Sequence, residues 1–253
     1  YREKYSAAGR FPGGFFKREN RPSDGEVLVS RLVDRALRPL FNDDFHGDMQ
    51  VQISLMSTDK KNPSDALACL AASAALAVSD IPFNGPVSEV RIIRNNGTWT
   101  VNPTFQEMEG ADIDLIVAGT ASDVLMVEGE MKEVSEAEMI EGIKTAHAAI
   151  KDQCRVINEL AADVPKSHTK RTYNHEENDA DLEKAIYDAT FQKYYDIAMQ
   201  ASAKEVRSEA FNKVKEEFVA TLTDEQKAKK AMLARYFKKA QKAGVLRVVL
   251  EKG

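Results

Sequence analysis

Two aromatic side chains followed by two cations are the residues of this sequence with the clearest chemical potential. Phe15 and Phe16 follow a pair of glycines and are followed directly by Lys17 and Arg18. The bases of single-stranded nucleic acids stack on aromatic rings, and their phosphates bind lysine and arginine. The pattern therefore predicts a contact with single-stranded nucleic acid. A surface loop with one phenylalanine in the core explains the same residues equally well.

Three arginines a short distance downstream predict a second anion-binding feature. Arg31, Arg35 and Arg38 are spaced at i, i+4 and i+7, so on a helix they lie along one narrow stripe. Aligned guanidinium groups repel one another unless an anion or a partner's carboxylates lie opposite them. We favour an anion. In the alternative interpretation, the arginines extend into solvent or pair with Asp34 and with the aspartates after the helix.

The charge distribution confines any such site to the beginning of the chain. The 253 residues carry a net charge of −5, which excludes a uniformly basic nucleic-acid binder. Residues 1–41 contain nine Lys and Arg against five Asp and Glu, whereas the remainder contains 26 against 35. A hydrophobic content of 43% is enough for a sizeable core in one large domain or two.

Cysteine, histidine and apolar patterns bound the class of protein. Cys69 and Cys154 are the two cysteines, which argues against a disulfide framework and predicts a reducing, cytoplasmic location. The four histidines show no metal-ligand spacing, so we expect no metal site in this chain. No apolar run approaches the length of a membrane span, and we expect no membrane contact. The absence of an initial Met favours a fragment of a longer protein.

Capping signals and alternation predict mixed elements in the first part of the chain. Ser23 and Glu26 form a capping box for a helix that runs to about Arg38 and is stopped by Pro39. Residues 51–55 alternate like a half-buried strand, and residues 66–79 form a helix of small side chains.

The next stretch predicts a hairpin, two more strands and a long helix. Residues 90–94 and 98–101 flank an Asn-Asn-Gly turn, and residues 112–118 and 121–130 read as two strands. A second capping box at Ser135 begins a long amphipathic helix. We interpret Trp99 as a residue that packs on the sheet, and His147, which falls among apolar positions, as a satisfied core histidine.

The composition changes near residue 170, which predicts two domains. Residues 166–178 are polar and unpatterned, as expected of a linker. The chain then reads as all helix, with a third capping box at Thr223. We predict an α+β domain over 1–165, a linker over 166–178 and an all-helical bundle over 179–253.

Several motifs occur together and in order as they do in one known family. The sequence AGRFPGGFFKRE at 8–19 resembles the signature of the bacterial polynucleotide phosphorylases. Further matches follow at 21–23, 30–41, 72–77, 81–86, 117–120 and 124–128. An unrelated α+β protein with a helical tail would require all of these matches to be coincidental.

The resemblance implies a fold and a reaction. Members of this family carry two ribonuclease PH-like cores separated by an all-helical domain, followed by KH and S1 modules that bind RNA. This chain is similar to the first core, incomplete at its N-terminus, plus the helical domain. The implied reaction is the attack of inorganic phosphate on the 3′ end of RNA with Mg²⁺, or its reverse. The second core, absent here, would bind both cofactors.

The resemblance also implies which residues of this chain act. Residues 112–116 are similar to a degenerate form of the catalytic segment, with Ile116 where the active core has lysine. We therefore expect no catalytic residue in this chain and no phosphorolytic activity from it alone. Arg31, Arg35 and Arg38 match arginines near the cleft between the two cores, with Arg31 and Arg35 the stronger expectations for RNA contact.

Residues 15–18, the paired aromatics and cations described first, match a loop that narrows the central pore of the family's trimer. Phe15, Phe16, Lys17 and Arg18 would there grip incoming single-stranded RNA. The family usually has two arginines in this loop, so Lys17 keeps the charge but loses a planar donor. The implied partners are single-stranded RNA, two further copies in a homotrimer, and other proteins of an RNA-degradation complex. The alternative is a stand-alone RNA-binding or assembly module.

Overall fold

The structure, a computed structural model, describes residues 1–4 and 21–252. Contacts between residues divide the chain into two units, Tyr1–Asn174 and His175–Gly253. The predicted boundaries at 165, 166–178 and 179 stay a prediction.

The first unit combines a four-stranded antiparallel sheet with helices on both of its faces. Its elements in chain order are β1 (Arg2–Glu3), α1 (Asp24–Leu37), β2 (Ser54–Leu55), α2 (Asp65–Ala77), β3 (Ser88–Asn95), β4 (Thr98–Val101), α3 (Phe105–Met108), β5 (Ile113–Gly119), β6 (Val124–Met131) and α4 (Glu136–Ala162). Short 3₁₀ turns at Arg38–Leu40 and Pro165–His168 follow α1 and α4. The strand order is β4-β3-β5-β6, and β1 pairs separately with β2 in parallel.

Alternation along β5 gives the sheet two buried faces. Ile113, Leu115 and Val117 pack with residues of α4, such as Ile150. Ile116 and Ala118 pack on the opposite face with apolar side chains of α1 and α2. Successive strand residues point to opposite faces, so Asp114 lies on the face of α1 and α2. This face carries most of the charged side chains described below.

Local signals placed most element boundaries correctly. The capping boxes at Ser23 and Ser135 are present, and the hairpin turns at Asn96 and Gly97 with φ of 50° and 77°. Trp99 packs beside Gly142, and Nε2 of His147 lies 2.9 Å from the Thr120 carbonyl oxygen, so both are packing residues.

One predicted strand is wrong in its extent. Of residues 51–55, only Ser54–Leu55 pair in a strand. Val51 and Ile53 instead pack on the core of the α1 and α2 face. The alternating apolar side chains are therefore packed on the core here, although most of the segment does not pair with another strand.

The segment after α4 is held against the first unit by polar contacts. Lys170 Nζ donates to the Ala77 and Ser79 carbonyl oxygens at the end of α2, at 3.2 and 2.6 Å. Arg171 pairs with Asp80 at 2.9 Å. Positive charge at a helix C-terminus is favourable, because the last carbonyls lack intrahelical partners. Residues 170–171 therefore have fixed contacts despite their unpatterned sequence.

The second unit consists of α5 (Ala180–Met199), α6 (Lys204–Ala220), α7 (Asp224–Ala228) and α8 (Lys230–Lys252). The third capping box is present at Thr223, but its helix ends at Lys229, where ψ is 49°. Lys229 Nζ lies 3.3 Å from Asp179 Oδ2, which holds the break in place.

Close approach of α5 and α8 depends on a small residue. A Cβ at Gly244 would lie 3.1 Å from Tyr194 Cβ and from the Tyr195 backbone nitrogen. The unit's core is built around Ile186, Tyr194 and Phe237. Every helix in the described ranges of both units is too short or too polar to cross a membrane.

Candidate nucleic-acid interface

Helix α1 presents three arginines because its first turn is fixed and its opposite face is buried. The Ser23 Oγ accepts the Glu26 backbone N–H at 3.3 Å, and Glu26 Oε2 accepts the Ser23 N–H at 2.6 Å. Leu32, Val33 and Ala36 are buried in the core. Arg31, Arg35 and Arg38 are exposed, as their spacing predicts.

Two of the exposed arginines, Arg31 and Arg35, line a shallow groove of about 320 Å³. Its lining residues are Asp24, Val27, Leu28, Arg31, Leu32, Arg35 and Glu128. Val27 and Leu28 are 46% and 56% exposed, so the groove has an apolar wall beside its cations. Such a mixed surface can contact both the bases and the phosphates of a single strand.

The three arginines have different electrostatic partners. Arg31 makes no ion pair with any residue that the structure describes. Arg35 pairs with Glu128 of β6, and the two side chains remain 48% and 50% exposed. An exposed pair of this kind is weak, and a phosphate can replace the carboxylate.

Arg38 follows the alternative interpretation of the stripe. Its Nη2 lies 2.7 and 2.9 Å from the two carboxylate oxygens of Asp34, one turn earlier. It begins the 3₁₀ turn that contains Pro39. Arg38 is therefore positioned to stabilise the end of α1, whereas Arg31 and Arg35 line the groove.

The other predicted contact residues cannot be placed beside this groove. Phe15, Phe16, Lys17 and Arg18 lie outside the described residues. Their role in RNA binding stays a prediction from the sequence.

The carboxylates of Asp112 and Asp114 are neutralised within the chain. Asp114 lies 2.7 Å from Arg91 Nη2, and Arg91 Nη1 lies 2.7 Å from Asp65. Asp112 lies 2.6 Å from Arg94 Nη2, and this hydrogen-bonded arginine lowers the pKa of Asp112. Both arginines are therefore occupied by ion pairs within the first unit.

Arg94 has two further contacts that fix its position. Its Nη1 lies 2.5 Å from Glu138 Oε1, and its guanidinium carbon lies 5.7 Å from the centre of the Trp99 ring. Hydrogen bonds from Ser135, followed by that from Arg94, lower the pKa of Glu138 to about 2. The capping box of α4 is thus joined to strand β3 through one guanidinium.

These residues do not fit the magnesium ion that the family implies. Asp112 and Asp114 each accept hydrogen bonds from an arginine that would repel a cation. Ile116 is 8% exposed in the apolar core and supplies no charge. No cluster able to hold a metal is found among His, Cys, Asp and Glu of the described ranges. No reaction step through a metal follows from this chain.

One buried carboxylate lies beside this network without belonging to it. Glu89 of β3 is 1% exposed, and neither carboxylate oxygen has a hydrogen-bond partner among the residues described. Burial, followed by the nearby Asp65, raises the pKa of Glu89 to about 8. Glu89 is therefore protonated at neutral pH in the folded protein.

Sequence reasoning named Asp34, the partner of Arg38, but missed the partners of Arg35 and Arg91. Glu128 follows Arg35 by 93 positions, and Asp114 follows Arg91 by 23. No local pattern links residues so far apart. The only available signal was the occurrence of Glu128 within the motif at 124–128 that resembles the family.

Family models match most of the first unit. Residues 1–82 match the 3′ exoribonuclease family, domain 1, and residues 85–149 match domain 2 of the same family. The chain therefore belongs to the 3′ exoribonuclease family, and its α+β core of the ribonuclease PH type with a helical second unit is confirmed.

Curated relatives confirm the resemblance to the bacterial polynucleotide phosphorylases. Polyribonucleotide nucleotidyltransferase of Porphyromonas gingivalis is 54% identical over 100% of this chain and 34% of its own length. The enzymes of that name from Bacteroides fragilis and Cytophaga hutchinsonii are 52% and 50% identical, over 36% and 35% of their lengths. The chain thus spans about a third of the relatives that it matches.

Proposed function

We propose that this chain is the RNA-guiding, non-catalytic part of a phosphorolytic 3′-to-5′ exoribonuclease. The name of these relatives, polyribonucleotide nucleotidyltransferase, supports RNA as the substrate. The full protein would degrade mRNA in the cytoplasm as a homotrimer, within a complex of RNA-degrading partners. Its Mg²⁺ and phosphate would be bound by a second core outside this chain.

The observation that carries the proposal is the state of Arg31. Its guanidinium is exposed on a groove and has no carboxylate partner in the described part of the chain. Arg35 is one turn away and is held by a single exposed carboxylate. Two guanidinium groups at this spacing can bind successive phosphates of one strand, because arginine offers planar, paired donors.

The proposed lack of catalysis follows from the chemistry that the reaction needs. Attack by phosphate requires donors for the nucleophile and a positive charge against the developing negative charge. The arginines nearest to the degenerate segment are already paired with Asp65, Asp112 and Asp114. We expect no release of ADP when the 253-residue chain is incubated with poly(A), phosphate and Mg²⁺. Measurable ADP release would contradict this part of the proposal.

RNA binding by the 253-residue chain tests the guiding role. Arg31→Gln with Arg35→Gln should weaken the affinity for labelled poly(A) at least fivefold in a filter-binding titration. With two phosphate contacts fewer, binding releases fewer counterions from the RNA. Lys151→Gln with Arg155→Gln removes the same charge from exposed positions of α4 and serves as the control. Equal affinities of the two double variants would refute phosphate contact by α1.

The reading frame separates the proposed enzyme part from a stand-alone RNA-binding or assembly module. A frame that continues past Gly253 into a second ribonuclease PH-like core agrees with the proposal. A stop codon at that point supports the stand-alone module, in which RNA affinity would remain but no phosphorolysis would accompany it.

A further inference from the structure

The shallow groove beside α1 is lined by four charged side chains whose charges cancel. Arg31 and Arg35 are its cations, and Asp24 and Glu128 are its anions. A surface that bound phosphates alone would favour cations only, since each carboxylate repels a phosphate. The two arginines serve the proposed function, whereas the carboxylates have no part in it. Of the two carboxylates, that of Glu128 is in contact with an arginine, Arg35.

Strand β6 fixes the position of Glu128. Its Cα lies opposite that of Ile116 in the antiparallel pair of β6 with β5. At the next residue, a Cβ on Gly129 would overlap the Asp114 carbonyl oxygen, so the glycine lets the two strands approach closely. Met126, two positions earlier and on the same face of the strand, is buried in the core that includes residues of α1. The Glu128 side chain is therefore directed towards α1 from a backbone that is held in the sheet.

The Glu128 carboxylate has one oxygen to spare. Nη1 of Arg35 donates to Glu128 Oε2, and Oε1 accepts no hydrogen bond from any residue that the structure describes. The Glu128 side chain is 50% exposed, so a ligand in the groove can reach it. A phosphate can replace Glu128 on Arg35 or bind to another N–H of the guanidinium. In both cases the carboxylate lies next to the bound phosphate.

An RNA strand carries a hydrogen-bond donor at the place where such a carboxylate needs one. The ribose 2′-hydroxyl is attached to the carbon next to the one that carries the 3′-phosphate, and it can donate a hydrogen bond. A carboxylate beside a bound phosphate can therefore accept from the 2′-hydroxyl of the same nucleotide. DNA lacks this hydroxyl, so the carboxylate repels the phosphate of a DNA strand without compensation.

We propose that Glu128 makes the groove selective for RNA over single-stranded DNA, by accepting a hydrogen bond from a ribose 2′-hydroxyl while Arg35 binds the adjacent phosphate. A hydroxyl that donates to an ionised carboxylate forms one of the stronger hydrogen bonds available to a sugar. Glu128 thus determines specificity and takes no part in catalysis. The inference rests on the binding of RNA at α1 in the proposed function.

The test compares fluorescein-labelled oligo(A) and oligo(dA) of equal length on the 253-residue chain at one salt concentration. The unmodified chain should bind oligo(A) about tenfold more tightly than oligo(dA). Glu128→Ala removes both the acceptor and the repulsive charge, so the affinity for oligo(dA) should rise and the preference for RNA should fall to about twofold or less. Glu130→Ala removes the same charge from an exposed position of β6 outside the groove lining, and should keep the preference.

A 2′-fluoro oligonucleotide separates the hydrogen bond from the shape of the sugar. Fluorine keeps the sugar pucker of RNA but cannot donate, so the unmodified chain should bind 2′-fluoro oligo(A) about as weakly as oligo(dA). Equally tight binding of 2′-fluoro oligo(A) and oligo(A) would overturn the proposal. So would equal ratios of RNA to DNA affinity for the unmodified chain and Glu128→Ala. A rise in DNA affinity is a readout that misfolding of the variant cannot mimic.

The same titrations separate this inference from the proposed function. If Arg31→Gln with Arg35→Gln weakens the binding of oligo(A) and Glu128→Ala leaves the ratio of RNA to DNA affinity unchanged, the role of Glu128 is refuted and the proposed function stands. If the double arginine variant keeps its affinity, the role of α1 is contradicted, and the role of Glu128 with it. If the unmodified chain binds neither oligonucleotide, both fail.

Discussion

The arginines of strand β3 and those of helix α1 belong to the same unit but have opposite surroundings. Arg91 and Arg94 are 22% and 13% exposed, and each contacts two carboxylates. Arg31 and Arg35 are both exposed; among the residues described, Arg35 pairs with Glu128 and Arg31 has no ion-pair partner. The comparison shows that burial and pairing, more than residue type, distinguish a structural arginine from one that can bind a ligand.

The largest expected effect lies at Glu89 of β3, whose buried carboxyl group has no hydrogen-bond partner among the described residues, unlike the carboxylates paired with Arg91 and Arg94. Because the folded state holds the Glu89 proton more tightly than the unfolded state, stability is greatest below the unfolded pKa near 4.5 and falls until the pH passes about 8. Glu89→Gln should remove this dependence. At a pH above about 8, the variant's free energy of unfolding should exceed that of the unmodified chain by up to about 5 kcal/mol, since each unit of pKa difference corresponds to about 1.36 kcal/mol. Urea unfolding across this pH range measures the effect, and parallel pH profiles for the two proteins would contradict it.

Arg91→Met should destabilise the first unit by about 3 kcal/mol, because it leaves Asp65 and Asp114 close together without their cation. Arg91→Lys keeps the charge but loses the paired donors, so its loss should be smaller. Denaturant unfolding monitored at Trp99, the single tryptophan, reports on this unit. If Arg91→Met unfolded like the unmodified chain, the distinction between the two sets of arginines would be lost.

On the RNA-binding side, the loop with paired aromatics should contribute more than any single arginine. Phe15→Ala with Phe16→Ala, introduced into a full-length protein that carries this chain, should weaken binding of long single-stranded RNA by roughly 1–3 kcal/mol for each lost stack. A filter-binding titration measures this, and Phe105→Ala, at an exposed aromatic of α3, is the control. An unchanged affinity would remove the loop from the interface.

The smallest effect is expected at Arg38, which is paired like the arginines of β3 but exposed like Arg31 and Arg35. Its pair with Asp34 is exposed by 76% and 54%, so Arg38→Ala should cost at most about 0.5 kcal/mol of stability. RNA affinity should fall less than it does for Arg31→Gln. Thermal unfolding and RNA titration of the same preparation check both statements. A loss of affinity larger than that of Arg31→Gln would reassign Arg38 to the interface.

Local chemistry in the sequence determined much of this fold. Capping boxes specified where α1 and α4 begin, and an Asn-Asn-Gly turn specified the β3–β4 hairpin. The break at Lys229 was missed, since it depends on a contact with Asp179, 50 positions earlier.

The candidate site was only partly predictable, for the same reason. The spacing of Arg31, Arg35 and Arg38 predicted their exposed stripe, but Asp34 and Glu128 distinguish the three arginines. The pairing of Arg91 with Asp65 and Asp114 arises only when α2 and β5 pack around β3. Long-range ion pairs have no periodic signature, so the neutralised carboxylates became visible only in the folded unit.

The salt dependence of RNA affinity tests the central claim most directly, because it counts phosphate contacts. The slope of log affinity against log salt is negative. For Arg31→Gln with Arg35→Gln it should become shallower by about 0.7 for each lost contact, relative to the unmodified 253-residue chain. Lys151→Gln with Arg155→Gln should leave the slope unchanged. Identical slopes for all three proteins would contradict the assignment of the α1 arginines to RNA binding.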